Sequence, residues 1–185
     1  MMELLWIDLA DSLWHDWKGD GHAEDRLESR EWQAAFLERN RLSAPVPASE
    51  EEVAELRRFR DELRGFSVRL AAGEAATEDM VHAINDQLAE QAVVRRAELE
   101  EGGSVRLSWT PAADSWRSVR AEAAADFARS LAEGLGSRIR LCDNGNCKWV
   151  FLDDTRNRSK RFCDDKLCGN LMKVRRFRER KKTET

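Results

Sequence analysis

The amino-acid sequence predicts an α+β fold, in which a mostly helical N-terminal domain with a small antiparallel sheet precedes a small C-terminal unit. Several segments repeat apolar residues at helical spacing, and one short segment alternates apolar with polar residues. All four cysteines lie after residue 141. We therefore expect two units, residues 1–136 and residues 137–185.

The two predicted units carry charge of opposite sign. Residues 1–136 contain 16 Lys/Arg and 28 Asp/Glu, a balance of −12. Residues 137–185 contain 15 Lys/Arg and 7 Asp/Glu, a balance of +8. Such an asymmetry favours different partners for the two units, and a polyanion is the candidate partner of the basic one.

The first elements are predicted from three short stretches of the sequence. The run "ELLWIDL" is apolar enough for a buried strand, which we favour, although its partial helical spacing keeps a helix open. The polar stretch "DGHAEDRL" is expected to be a loop. In "SREWQAAFLERN", Ser29 can cap a helix that places Trp32 and Phe36 on one face.

The longest predicted helix follows the proline-containing linker "LSAPVPAS". Ser49 and Glu52 have the spacing of a capping box, in which each side chain bonds the other residue's backbone N–H. Apolar residues then recur at helical spacing as far as Leu70. Thr77 precedes another helix, and "EEGG" predicts a turn.

The remaining elements of the first unit are a strand and a helix. Val105, Leu107 and Trp109 alternate with polar residues, a pattern typical of a half-buried strand. "TPAAD" turns the chain, and a last helix from Trp116 closes near Gly136.

The aromatic residues of the first unit offer two interpretations. Six of the seven tryptophans precede residue 137. They suit a hydrophobic core, or alternatively the lining of a small-molecule pocket. The three histidines are scattered and no nucleophile or acid–base constellation is visible, so we do not expect an enzyme.

The first residues and the hydropathy of the chain indicate where in the cell the protein is expected. The acidic start lacks a basic region, a long apolar run and a cleavage site, so no signal peptide is expected. No run approaches the ~20 apolar residues of a membrane span, and no membrane partner is expected. The cytoplasm, where thiols stay reduced, is the expected location.

The cysteines Cys142, Cys147, Cys163 and Cys168 have the spacing Cys-x4-Cys-x15-Cys-x4-Cys. Four clustered cysteines in a reducing compartment favour a closed tetrahedral site for one structural Zn²⁺. Two disulfides and an iron–sulfur cluster are the competing interpretations.

The segment around the cysteines predicts the order of a treble-clef zinc finger. Gly145 allows the first Cys-x4-Cys loop to curl tightly. Residues 148–162 are expected to form a hairpin, and a helix begins after Cys168. On that helix Leu171, Val174 and Phe177 form an apolar stripe that can pack on the hairpin.

The basic residues of this unit are the candidate nucleic-acid contacts. Phosphates attract arginine and lysine, and arginine also reads guanine edges in the major groove. A solvated tail, or a partner for the acidic first unit, is the alternative. The candidates on the loop and the helix are Arg156, Arg158, Lys160, Arg161, Lys173, Arg175, Arg176 and Arg178.

The C-terminal forty residues resemble the CGNR zinc-finger family of bacterial transcription regulators. The resemblance rests on the x4 spacing of both pairs and on "FLD", "RNRSKR", "CGN" and "KVRR". It implies that the four cysteines bind zinc and that the basic loop and helix bind DNA. The preceding residues are similar in element order to the ABATE domain, which implies sensing of a small molecule or an intracellular signal.

Three positions depart from the family pattern. Leu171 stands where the signature has arginine, Phe177 where histidine is frequent, and Asp11-Ser12 where Asn-Thr is frequent. The departures leave the cysteines untouched and concern recognition of a particular DNA sequence.

The sequence thus supports a DNA-binding transcription regulator with a small-molecule effector in its N-terminal domain. The alternative is a zinc-stapled protein–protein interaction module without DNA binding. A homodimer is a general expectation for DNA-binding modules, with no particular residue behind it here.

Overall fold

The computed structural model describes residues 4–183 of the chain. Within them the helices are α1 (Leu5–Ala10), α2 (Arg30–Asn40), α3 (Glu50–Ala71), α4 (Glu78–Ala89), α5 (Trp116–Ala132) and α6 (Asn170–Thr183). The strands are β1 (Leu13–His15), β2 (Ala23–Asp25), β3 (Val93–Leu99), β4 (Val105–Pro111), β5 (Ile139–Leu141) and β6 (Val150–Leu152). They pair as three antiparallel two-stranded sheets, β1–β2, β3–β4 and β5–β6, which confirms the α+β class.

The first apolar run is helix α1, so the favoured prediction of a strand is wrong. Glu3, at the start of that run, lies outside the described residues. Trp6, Leu9 and Ala10 are fully buried, and their spacing of three and four places them on one helix face. A helix of six residues is unstable alone, so contacts with α5 stabilise it: the Trp6 ring packs edge-on against Phe127, and Trp6 Nε1 donates to Ser130 Oγ.

The predicted starts of the long helices are confirmed. Ser29 Oγ accepts a hydrogen bond from the Trp32 backbone N–H at the start of α2. At the start of α3, Ser49 Oγ accepts from the Glu52 N–H while Glu52 Oε2 accepts from the Ser49 N–H, which completes the capping box. These local bonds satisfy backbone donors that an uncapped helix leaves unpaired.

One hydrophobic core joins α1, α2, α3 and α5. Trp116 is fully buried, and its indole N–H donates to the carbonyl oxygen of Pro45 in the linker before α3. Of the tryptophans, only Trp6 and Trp116 lie wholly inside this core, whereas Trp109 is 54% exposed. Trp32 is partly buried and packs against the same core, so the core interpretation holds for three of the six.

The β3–β4 hairpin projects from the helices with an exposed apolar face. Val105, Leu107 and Trp109 were expected to be half-buried, but they are 69%, 53% and 54% exposed. Their alternation is real, because all three lie on one face of the hairpin opposite Leu99, Ala97 and Arg95. No element of the described chain covers that face, and alternation by itself does not report what a strand packs against.

The hairpin of the C-terminal unit has a different partner strand from the predicted one. β6 pairs with β5, which precedes the first cysteine pair, and residues 160–162 form no strand. The buried Asp153 carboxylate ends β6 by accepting hydrogen bonds from the N–H groups of Thr155 and Lys160, which folds residues 153–160 into a loop. Ile139 and Val150 of this hairpin belong to the main core, so the two units share buried apolar residues.

The described helices contain no membrane-spanning candidate, since none is both long and apolar enough to cross a bilayer.

Candidate metal centre and basic surface

The first cysteine pair lies in the tight turn that joins β5 to β6. The Cys142 N–H donates to the Trp149 carbonyl, and the Cys147 N–H donates to the Asn144 carbonyl, both at 2.8 Å. Gly145 was expected to supply a positive φ, but the left-handed residue of this turn is Lys148, with φ of +59°. The backbone bonds thus fold the turn so that both cysteines are buried on one side of it.

The second cysteine pair lies at the entrance to α6. The Asp164 carboxylate accepts from the N–H groups of Lys166 and Leu167, and this capped turn presents Cys168 on the side of Cys163. Gly169 follows Cys168 in tight surroundings, where an added Cβ would lie 3.5 Å from the Phe162 ring. Helix α6 then begins at Asn170.

The four cysteine sulfurs converge in one cluster. All four Sγ atoms lie within 4.8 Å of one another, with 3.6 Å between Cys147 and Cys163 and 3.9 Å between Cys163 and Cys168. Zn–S bonds of about 2.3 Å in a tetrahedron place sulfurs about 3.8 Å apart, which matches these separations. A disulfide needs sulfurs about 2 Å apart, so the cysteines are free thiols. The four cysteines are positioned to bind one metal ion, consistent with one structural zinc.

Hydrogen bonding among three of the thiols shifts their pKa values in opposite directions. The thiols of Cys147 and Cys163 bond to the Cys142 sulfur, which holds the pKa of Cys142 far below its ordinary value. Bonding to Cys142 raises the pKa of Cys147 and of Cys163, because each proton is shared with a neighbouring sulfur. Thiols at this separation are compatible with one another only if they share protons or hold a cation, and the donor set fits zinc.

Asn144 donates a hydrogen bond to one sulfur of the cysteine cluster. Its side chain is fully buried, and its Nδ2 group donates to the Trp17 carbonyl at 2.8 Å and to Cys168 Sγ at 3.4 Å. An N–H directed at a sulfur stabilises the thiolate form and fixes the position of the ligand. Sequence reasoning missed this residue, although a polar residue between two cysteines of a tight turn was a usable signal.

The β5–β6 hairpin is bound to the N-terminal unit by Asp11 and Arg64. Asp11 Oδ1 accepts from the Val150 N–H at 2.9 Å, and Arg64 Nη2 donates to the Lys148 carbonyl at 2.9 Å. Arg64 also lies 3.4 Å from the Asp11 carboxylate. Burial raises the pKa of Asp11 to about 8, with the hydrogen bond from Val150 opposing that rise.

The β1–β2 loop forms a second attachment to the C-terminal unit. The Lys18 carbonyl accepts from the Arg175 guanidinium of α6. Gly19 has a φ of +94°, and a Cβ built on it would lie 2.4 Å from Asn146 Nδ2. Trp17 packs against the cysteine cluster itself. Both ends of the metal-binding unit are thus held by residues 11–19.

The eight predicted DNA contacts fall into two groups. Lys160 and Arg161 form ion pairs with Asp154 and Asp143, and Arg175 is engaged with the Lys18 carbonyl. The other five are exposed, and no ion pair or hydrogen bond from their side chains occurs within residues 4–183. They are Arg156, Arg158, Lys173, Arg176 and Arg178.

Helix α6 packs through a face other than the predicted one. Met172, one turn after Cys168, contacts the cysteine cluster, while Val174 and Phe177 are 46% and 54% exposed. The predicted stripe therefore points largely to solvent, because Cys168 sets the rotation of the helix. Leu171, at the signature arginine position, is half-buried.

Taken together, these features define a class of protein: an α+β domain joined by buried hydrogen bonds and apolar packing to a four-cysteine zinc finger that carries a basic helix. Comparison with protein families agrees with this class. Residues 3–137 match the ABATE family, described as "Putative stress-induced transcription regulator", and residues 138–181 match the CGNR zinc finger. The chain belongs to the ABATE family, since that match spans most of its length. A comparison with curated proteins returned no significant match.

Proposed function

We propose that this protein is a transcription regulator that binds DNA through its C-terminal zinc finger. The observation that carries the proposal is the group of five exposed cations without an internal partner in the described chain. They lie on the loop and the helix that flank the four-cysteine metal site. Cations that are free of internal ion pairs are available to displace counterions from phosphates.

The arrangement of these cations suits a duplex. Arg156 and Arg158 project from the loop after β6, whereas Lys173, Arg176 and Arg178 project from α6. A helix fits the major groove, and flanking basic residues contact the phosphates beside it. Lys160, Arg161 and Arg175 then serve mainly to hold the loop and the helix in place. A regulator of this kind acts in the cytoplasm, where bacterial DNA lies.

The test is DNA affinity as a function of salt. Binding of the zinc-loaded chain to a fluorescent random-sequence duplex is followed by anisotropy at several salt concentrations. Each phosphate contact contributes roughly −0.9 to the log–log slope. We expect the double variant Arg176→Gln/Arg178→Gln to flatten that slope by about 2.

A charge-matched control separates contact from net charge. Arg95→Gln/Arg96→Gln removes the same two charges from the exposed β3–β4 hairpin and should leave the slope unchanged. No binding at low salt, or equal loss in both double variants, contradicts the proposal. Selection of bound sequences from a random pool, with zinc content measured on the same sample, then defines the preferred site.

A second candidate function is binding of a protein partner through α6. The observation that favours it is the exposed pair Val174 and Phe177, which is unusual on a helix that contacts only phosphates. Under this function, Phe177→Ser abolishes binding to the partner and DNA affinity is negligible at every salt concentration.

The N-terminal unit is proposed to sense an effector and to transmit its state to the finger. The hydrogen bonds of Asp11 and Arg64 to the β5–β6 hairpin support this, because they join the two units through buried groups. A change in the position of α1 is therefore transmitted directly to the metal-binding unit.

A further inference from the structure

A cavity lies between α1 and the zinc finger. Its volume is about 400 Å³, within the range of small-molecule sites. Much of its wall is apolar, with Leu4 and Ile7 on the α1 side and Val150, Phe151 and Leu152 on the β6 side. An apolar compound of one or two rings fits such a space.

Two residues of the cavity wall carry a hydrogen-bond donor that has no hydrogen-bond partner among the described residues. Trp149 lines it, and the buried Trp149 Nε1 has no hydrogen-bond partner among the described residues. Arg26 also lines it, and its half-buried guanidinium lies over the Trp14 ring without a carboxylate partner in the described chain. Lys160 also lines the cavity, but its ammonium group is paired with Asp154 of the same wall at 3.3 Å. A buried N–H that lacks a partner is costly, so an acceptor supplied by a ligand stabilises the site.

The acidic groups of the same wall are already engaged. Asp8 is held by the guanidinium of Arg39 and by the amide of Asn40. Asp11 is held by the Val150 N–H and by Arg64. The polar groups of the cavity wall that remain available to a ligand are therefore mainly hydrogen-bond donors and positive charges.

We propose that this cavity binds a small organic acid, with its apolar body between α1 and β6 and its carboxylate toward Arg26 and the Trp149 indole N–H. The inference rests on the proposed function, because it supplies the effector site of the regulator. It differs from the sequence expectation in location, since the site is shared with the finger instead of lying wholly inside the N-terminal domain.

The position of the cavity gives the ligand a route to the DNA-binding surface. β6 joins the cysteine turn to the loop that carries Arg156 and Arg158, and Cys163 itself lines the cavity. A ligand that prefers one position of this loop must change DNA affinity, and DNA must change ligand affinity by the same factor.

The experiment uses the zinc-loaded full chain and two probes of the same shape. Isothermal titration calorimetry measures binding of 1-naphthoate, the acid, and of 1-naphthylmethylammonium, its cationic counterpart. We expect saturable one-to-one binding of 1-naphthoate and at least about tenfold weaker binding of the cation, since an acceptor bonded to a charged donor contributes substantially to affinity.

Two matched pairs of variants locate the site. Trp149→Phe keeps an aromatic side chain, although a smaller one, and removes the indole N–H, and Arg26→Gln removes the cation. Each should weaken 1-naphthoate binding about five- to tenfold or more. Trp109→Phe on the exposed hairpin and Arg30→Gln on the surface of α2 should leave it unchanged. Zinc content and far-UV circular dichroism verify that each variant is folded, and Arg26→Gln remains decisive if Trp149→Phe loses zinc.

Each outcome decides a defined part of the inference. Absence of saturable 1-naphthoate binding at millimolar concentration, preference for the cation, or equal affinity in Arg26→Gln overturns the site. Binding that leaves DNA affinity unchanged overturns the coupling. DNA binding is measured separately without any probe, so failure of the cavity and failure of the proposed function are distinguishable.

Discussion

Asp11 Oδ1 accepts a hydrogen bond from the backbone N–H of Val150 at 2.9 Å, across 139 residues of chain. The bond joins the end of α1 to the first residue of β6, three positions after the zinc-binding Cys147. The metal-binding unit is therefore attached to the N-terminal domain by a buried polar bond as well as by apolar packing.

Replacing Asp11 with alanine should destabilise the protein. The change leaves the Val150 N–H buried without a partner, which costs about 1–3 kcal/mol of unfolding free energy. Urea unfolding of the zinc-saturated protein measures the loss. Asp114→Ala in the exposed loop before α5 is the control and should change stability by less than about 0.5 kcal/mol. Equal stability of the two variants would show that the Asp11 bond contributes little.

The raised pKa of Asp11 predicts a pH dependence of stability. Burial favours the protonated carboxyl in the folded protein, with a pKa of about 8 against an ordinary 3.8. The nearby charges of Asp8 and Cys142 add to the rise, while Arg64 opposes it. Between these two pH values the folded state binds the extra proton, so this contribution to stability is lost as pH rises toward 8.

Asp11→Asn isolates that contribution, because every other titrating group is shared with the unchanged protein. We expect the free energy of unfolding of the wild-type protein to fall relative to that of the Asp11→Asn variant as pH rises from about 4 to about 8. Urea unfolding of both proteins at several pH values tests this. A difference that stays constant with pH would refute the prediction.

Asn144 should control zinc affinity without binding the metal. Asn144→Ala removes the N–H that points at Cys168 Sγ, and loss of such a supporting bond lowers metal affinity about 10–100-fold. Competition with a chromophoric chelator measures the affinity. Asn157→Ala, in the exposed loop, should bind zinc as the unchanged protein does. Unaltered zinc affinity in Asn144→Ala is the result that rejects this role.

Gly19 and Gly21 provide a matched test of the β1–β2 loop. Both have positive φ, at +94° and +85°, so alanine is strained at either position. Only at Gly19 does an added Cβ meet a neighbour, at 2.4 Å from Asn146 Nδ2. We expect Gly19→Ala to cost about 1 kcal/mol more than Gly21→Ala in unfolding free energy, because Asn146 must move. Equal costs would mean that the loop adapts without disturbing the finger.

Removal of zinc should melt the metal-binding unit and leave α2–α5 folded. The small core of the metal-binding unit is built around the cysteines themselves, whereas the core of the N-terminal unit is a separate and larger cluster. Hydrogen exchange with mass spectrometry should show loss of protection in residues 142–183 after chelation, with protection retained in α3. The melting temperature should also fall, since Ile139 and Val150 contribute to the main core. Uniform loss of protection along the chain would contradict this expectation.

Local signals predicted the helices well. The capping box at Ser49 and Glu52 and the cap at Ser29 are interactions within four residues, and the structure forms both. The type of α1 was mispredicted because a short apolar run fits a strand or a helix equally well, and packing on Phe127 decides between them.

Long-range contacts account for the other differences between the predicted and the observed structure. The partner of β6 is β5, and no local pattern distinguishes that strand from the predicted return at residues 160–162. The exposure of Val174 and Phe177 follows from the rotation that Cys168 imposes on α6. Both depend on where the metal-binding unit meets the rest of the molecule.

The sequence by itself determined the family, the four-cysteine zinc site and the basic character of the C-terminal unit, because spacing and charge are properties of neighbouring residues. Only the tertiary structure decided which cations stay free of partners and that Asp11, Arg64 and the β1–β2 loop hold the finger. It also placed the cavity between α1 and β6. These features join residues 84 or more positions apart, and burial of shared apolar surface brings them together.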